Sequence, residues 1–373
     1  MKLPRLPVLA YLAAVGALFF NTQPVLVTAF MSEWQLDAGE VGLAIGVGLL
    51  GAVIVFGACF AWSGKLAFRS MTLAGLVLGL VALASLALPS SLTGVTGVLF
   101  LLGVGSGLVY APVMIALGRS SQPARDFAFA ITTQVLIAGG LLVLVPAVVV
   151  PAMGFPGILV VFGIIFAVGL LAALGSGAIE LTGGPGLAAT RNTTAWLTIL
   201  AMAIYFVGLN GVWAFLDLMG AARGFTPTAV GAALTLSVLA GVAGTLLASR
   251  FDRLSPRTAM LISFVVFTTF IGVLLVVPGY AAFVVALVLF NIGWNFSLPY
   301  LMALTAVIDE SGRFLALLPA AQALGGAMGP IVAGVIMTSL GSSAAIWQLL
   351  VSVMLAFAVY AMLLQPAASG DGL

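Results

Sequence analysis

Long apolar runs separated by short polar breaks dominate the chain. A helix needs about 20 apolar residues to cross the hydrocarbon core of a bilayer. On that measure the pattern predicts twelve membrane-spanning helices. Six lie at 8–31, 40–62, 70–89, 93–118, 127–150 and 157–179; six more lie at 195–218, 228–249, 258–278, 281–308, 314–338 and 343–364. The first run follows Lys2 and Arg5, as a secretion signal would. It is longer than a signal core and lacks a convincing small-residue cleavage site, so it is read as a retained first span.

The polar breaks repeat. Arg69 and Arg257 stand 257 − 69 = 188 residues apart, and Lys65 with Arg253, Arg125 with Arg313, and Gln134 with Gln322 keep that offset. The offset is about half of the 373 residues, which points to a duplicated unit. The expected organisation is an all-α polytopic membrane protein of two pseudo-symmetric six-helix bundles, 1–179 and 195–373, joined by a cytoplasmic linker at 180–194. The linker run Thr182-Gly183-Gly184-Pro185-Gly186 cannot continue a helix, and the linker is too short for a soluble domain. A membrane protein of two parallel halves is first of all a transporter hypothesis.

Composition agrees. Charged residues make up 6% of the chain, against about 25% in soluble domains, so its surface must face lipid. With the N-terminus inside, Lys2, Arg5, Lys65, Arg69, Arg119, Arg125, Arg191, Arg250, Arg253, Arg257 and Arg313 all fall on the cytoplasmic side. Only Arg223 falls outside, while Glu33, Asp37 and Glu40 lie in the first external loop. That asymmetry supports the even span count, with both termini in the cytoplasm of a bacterial inner-membrane protein. The single Cys59 excludes an intrachain disulfide and reads as a small packing residue. Histidine is absent, which removes the commonest metal ligand and general base. No catalytic residues, metal or cofactor are expected. The run Gly103-Val104-Gly105-Ser106-Gly107 lies inside a span, not between a strand and a helix, so it reads as helix packing rather than nucleotide binding.

The loop after the eighth span, Asp252-Arg253-Leu254-Ser255-Pro256-Arg257, resembles the Asp-Arg-x-Gly-x-Arg loop of the major facilitator superfamily. Its counterpart, Gly64-Lys65-Leu66-Ala67-Phe68-Arg69, keeps the basic residues but has Gly64 in place of the aspartate. The glycine-rich fourth span is similar to that family's fourth helix, with Leu99 where an arginine is often found. Gly39-Glu40-Val41-Gly42 and Thr228-Ala229-Val230-Gly231 resemble the family's second and eighth helix starts. The resemblance covers nearly the whole chain and implies two bundles opened alternately to each side around a central cavity. It also implies a gating role for Lys65, Arg69, Asp252, Arg253 and Arg257. A glycine-proline motif of drug antiporters is expected in the fifth helix; here Gly139-Gly140 precede Pro146, and Gly329-Pro330 sits in the eleventh span.

Polar groups inside a span are costly and need partners or water. Phe206, Asn210, Trp213 and Asp217 recur every three or four residues and share one helical face. That stripe reads as cavity lining, or as an amide bonding a neighbouring helix with packed aromatics. Asn291 and Asn295, with Trp294 beside them, either line a wet cavity or lock helices together. Asn21, Thr22 and Gln23 sit mid-span before Pro24, and Thr22 corresponds to Asn210 at the 188-residue offset. Gln134 and Gln322 complete the binding candidates, with Tyr110 as a hydroxyl donor; Tyr205 and Tyr300 are alternatives. Asp217, the one acid placed within a span, is a titrating or gating candidate. Arg119, Arg125, Asp126, Asp309, Glu310 and Arg313 flank the cytoplasmic mouth as candidate gate pairs or solvated charges.

No basic side chain lies inside a span to meet an anion. The expected substrate is therefore a small neutral, zwitterionic or amphipathic organic solute, moved with or without a coupling proton or ion by a monomer in the lipid bilayer. Efflux of apolar or cationic drug-like compounds or lipids, and a non-transporting receptor, are the other readings. An embedded enzyme would need a nucleophile, metal site or acid–base pair in a cleft, and none is visible. No nucleic-acid partner is expected.

Overall fold

A computed structural model describes residues 6–61, 65–88, 91–175, 180–182, 193–251, 254–308 and 317–363. The first predicted span is not one straight helix. It runs as α1 (Leu6–Gly16), α2 (Leu18–Asn21) and α3 (Gln23–Trp34), with Thr22 between the last two. Pro24 lacks an N–H, and the Thr22 hydroxyl donates back to the Leu18 carbonyl at 2.7 Å. Both effects bend a helix.

α4 (Ala38–Ala61), α5 (Phe68–Ser85) and α6 (Leu92–Gly118) follow the predicted spans. Asp37 and Glu40 close a reciprocal capping box at the start of α4, each side chain accepting the other's backbone N–H at 2.8 and 3.0 Å. The next two predicted spans have no loop between them. α7 (Pro123–Leu144) passes through a π turn at Val145–Val149 into α8 (Val150–Leu174). The π turn contains Pro146, whose missing N–H favours the extra residue. The reversal falls on Gly154, at φ 63°, a left-handed conformation that glycine adopts without a Cβ penalty.

The second half contains α9 (Thr193–Ala221), α10 (Pro227–Arg250), α11 (Pro256–Val276), α12 (Tyr280–Ile308), α13 (Leu318–Leu340) and α14 (Ser342–Leu363). The repeat read from arginines is visible in the helices. Adding 188 to the start of α6 gives 280, where α12 begins, and the same shift carries 6–34 to 194–222, one residue beyond α9. Gly154 also has a counterpart 187 residues on: Gly341, at φ 87°, divides α13 from α14. The segment Arg125–Leu174 is 50 residues long, too long for one crossing, and turns at Gly154 into two. With the bent first helix, the chain crosses the membrane twelve times.

One departure from an all-helical chain appears. β1 (Lys65–Ala67) pairs antiparallel with β2 (Glu180–Thr182), Lys65 opposite Thr182 and Ala67 opposite Glu180. The start of the predicted linker is thus tied by backbone hydrogen bonds to the loop between α4 and α5.

The helices of the two halves meet along three seams, all toward the end that carries the capping box. α4 lies against α13, where the Gly39 N–H donates to the Thr338 hydroxyl at 2.9 Å. Gly42 and Gly334 bring these backbones so close that a Cβ on either would collide with a carbonyl, that of Pro330 or Ala38. α10 meets α7 where the Thr235 hydroxyl donates to the Gly139 carbonyl at 2.7 Å. α3 meets α9 through Thr28 and Asp217. Arg223, the one basic residue predicted at this end, donates to the Met219 and Leu274 carbonyls at 2.7 and 2.8 Å. It neutralises carbonyls left open at the ends of α9 and α11.

Candidate functional site

Below the three seams a cavity of 130 Å³ lies between the halves. α7 supplies Ile131, Gln134, Val135 and Ala138, spaced three, one and three residues apart on one helical face. Asn21, at the bend of the first span, Trp213 of α9 and Val238 of α10 complete the wall.

Three of the residues singled out in the sequence therefore meet here: Asn21, Gln134 and Trp213. Gln134 is 8% exposed and stands beside Tyr110 of α6. Its amide nitrogen has no partner. Gln23 is fully buried two residues after Asn21, and neither end of its amide is paired. Asn210 is also fully buried; its nitrogen donates to the Phe206 carbonyl at 3.0 Å and its oxygen has no partner. Of these three residues only Gln134 lines the cavity, and its unpaired nitrogen is open to a partner there.

The other binding candidates lie elsewhere. Asn291 donates to the Ser237 hydroxyl at 2.9 Å, which ties α12 to α10. Asn295 donates to the Asn291 carbonyl one turn back at 2.9 Å. Phe206 and Trp294 pack edge to face at 5.8 Å, and Trp294 packs on Phe290 in the same way. Gln322 is half-buried in α13, outside the cavity wall. Tyr205 is buried against the Ser297 hydroxyl, and Tyr300 donates to the Phe251 carbonyl at 2.7 Å, so both hydroxyls serve helix contacts.

Asp217 is 7% exposed, one turn beyond Trp213, and stands beside Thr28 of α3, whose hydroxyl donates to the Pro24 carbonyl at 3.4 Å. Among the described residues no basic side chain pairs with it. It stands in the seam that closes the cavity, not in the cavity wall.

Of the gating candidates, Arg69 donates to the Leu174 carbonyl at the end of α8 at 3.1 Å, and Arg125 donates to Gln122 at 3.1 Å. Both are bonds within the first half. Arg119 and Asp126 stand at the facing ends of α6 and α7, Arg257 starts α11, and Lys65 lies in β1. Asp252, Arg253, Asp309, Glu310 and Arg313 fall outside the described residues. Among the described residues no group of metal-ligating side chains comes together. The apolar lining, Ile131, Val135, Ala138 and Val238, was not singled out in the sequence. Its one signal is the spacing of the first three around Gln134.

The Major Facilitator Superfamily model matches residues 198–371. Solved structures share the fold over nearly the whole chain. The nucleoside transporter NupG superposes with a TM-score of 0.73 at 15% identity, covering 97% of this chain and 98% of its own. The second half of the chain thus matches the major facilitator superfamily, and the whole chain shares the fold of these transporters. A D-xylose–proton symporter is similar at TM-score 0.73 and 14% identity, covering 98% of this chain and 99% of its own. A bacterial homologue of the human lysosomal transporter Spinster, in an inward-facing and occupied conformation, is similar at 0.68 and 15%, covering 97% of each. No curated protein matches the chain. The protein is thus an integral, multi-pass membrane protein with the superfamily's transporter fold.

Proposed function

We propose that the protein moves a small neutral, zwitterionic or amphipathic organic solute across a bacterial cytoplasmic membrane by alternating access. The halves 1–179 and 195–373 rock about the cavity, joined by the 180–194 linker, and the basic end faces the cytoplasm. The observation that carries this reading is a cavity lined from both halves, with the unpaired Gln134 amide nitrogen in its wall and helix seams toward the capping-box end. It supports a carrier open to the side of its basic loops. Asn21, Gln134 and Trp213 bind the solute, with Tyr110 beside Gln134. Asp217 gates the closed seam and is the candidate for coupling to a proton. The basic and acidic residues at the cytoplasmic mouth form the opposite gate when the cavity faces outward. A monomer suffices, because both halves of the site come from one chain.

The test is exchange in proteoliposomes with the purified protein. Solutes are first ranked by thermal stabilisation in detergent, where a ligand at 100 times its Kd adds about 2.7 kcal/mol. Saturable exchange of a stabilising solute is expected. Binding without exchange would make the protein a receptor on a transporter fold. The mostly aliphatic lining favours one second reading, efflux of apolar compounds; it predicts stabilisation only by apolar or cationic drug-like molecules.

A further inference from the structure

Gln134, in the cavity wall, has a buried amide nitrogen that donates to nothing. A donor held this way favours a ligand that brings an acceptor: a carbonyl, an ether or a ring nitrogen. None of the side chains lining the cavity ionises. Asp217, one turn along α9, stands beside Thr28 in the closed seam, and the arginines of known position stand at helix ends. An ion entering here would shed water and find no opposite charge. The volume sets a further limit. At 130 Å³ the cavity is close to the ~150 Å³ that holds benzene in a protein interior. Trp213 lines this space together with aliphatic side chains of α7 and α10, a wall that suits a flat ring.

We infer that the solute is an uncharged single-ring compound that accepts a hydrogen bond from the Gln134 amide nitrogen and lies against Trp213. The inference rests on the proposal that this cavity is the transport site.

Matched rings test it with the full chain purified in detergent. Nicotinamide and uracil are uncharged and carry carbonyl acceptors; nicotinate and 1-methylnicotinamide keep the ring but carry a negative or a positive charge. Thermal stabilisation titrations are expected to show binding of one or both neutral rings, with both charged congeners at least about tenfold weaker. Gln134→Leu is expected to weaken the neutral ring about tenfold, the worth of one hydrogen bond, without lowering the melting temperature of the unliganded protein. Val238→Phe fills the cavity from α10 and is expected to abolish binding; it serves as the second variant should Gln134→Leu fail to fold. Equal binding of a charged congener, no binding by either neutral ring, or undiminished binding by both variants would overturn the inference. Exchange in proteoliposomes separates it from the transport reading. If a charged or acyclic solute exchanges instead, transport stands and the ring inference falls. If a neutral ring binds through Gln134 but is not exchanged, the ring inference stands and transport falls.

Discussion

In the contact between α10 and α12, the Asn291 amide donates to Ser237 and Asn295 donates to the Asn291 carbonyl, so both amide nitrogens are used inside the protein. In the cavity wall, Gln134 keeps an unpaired nitrogen although it is buried. Residues of one chemical type, all in apolar helices, thus serve two ends. A satisfied amide between helices of one half holds those helices together. An unsatisfied amide in the wall between the two halves is a cost that a bound solute would relieve under the proposed function.

Four substitutions test this contrast, from the largest expected effect to the smallest. Trp213→Ala removes the largest side chain of the cavity wall. Solute exchange is expected to fall by about 30-fold or more, the scale of truncating an aromatic anchor, with the melting temperature of the empty protein little changed; a parallel loss of folding would move Trp213 to the packing class. Asn291→Leu should do the reverse. It breaks the bond to Ser237 and is expected to lower stability in detergent by about 1 kcal/mol, leaving exchange per folded molecule intact. Loss of exchange at wild-type stability would place Asn291 in the transport path.

Asp217→Asn probes a position between these extremes, buried beside Thr28. The amide keeps the size of the side chain and removes the titrating group, so the pH dependence of uptake should flatten while maximal uptake is retained. An unchanged pH profile would end the coupling role. Asn295→Leu removes a bond made within its own helix and should change stability by only about 0.5 kcal/mol and exchange not at all.

Much of this was legible before any coordinates. The apolar runs predicted the spans, and the 188-residue spacing of Arg69 and Arg257 matches the helices within a residue or so. The backbone breaks were harder to read. Hydropathy is blind to a missing N–H, so the bend before Pro24 and the π turn at Pro146 escaped it, while the reversal at Gly154 falls in the break predicted between 150 and 157. The ribbon of β1 and β2 joins segments more than 100 residues apart and leaves no local trace. Among the polar residues, spacing told which shared a face but not what that face meets. Phe206, Asn210, Trp213 and Asp217 do share one side of α9, yet only Trp213 lines the cavity.

The sequence by itself determined that the chain lies in a membrane, crosses it in two repeated sets of helices, and turns its basic loops to one side. Those properties follow from residue-by-residue transfer into lipid and from charge near the helix ends, both of which are local sums. Only the tertiary structure decided which buried amides are satisfied. Whether Asn291 meets Ser237, or the Gln134 nitrogen meets nothing, depends on the packing of helices far apart in the chain, and a hydrogen bond exists only where that packing brings donor and acceptor within about 3 Å.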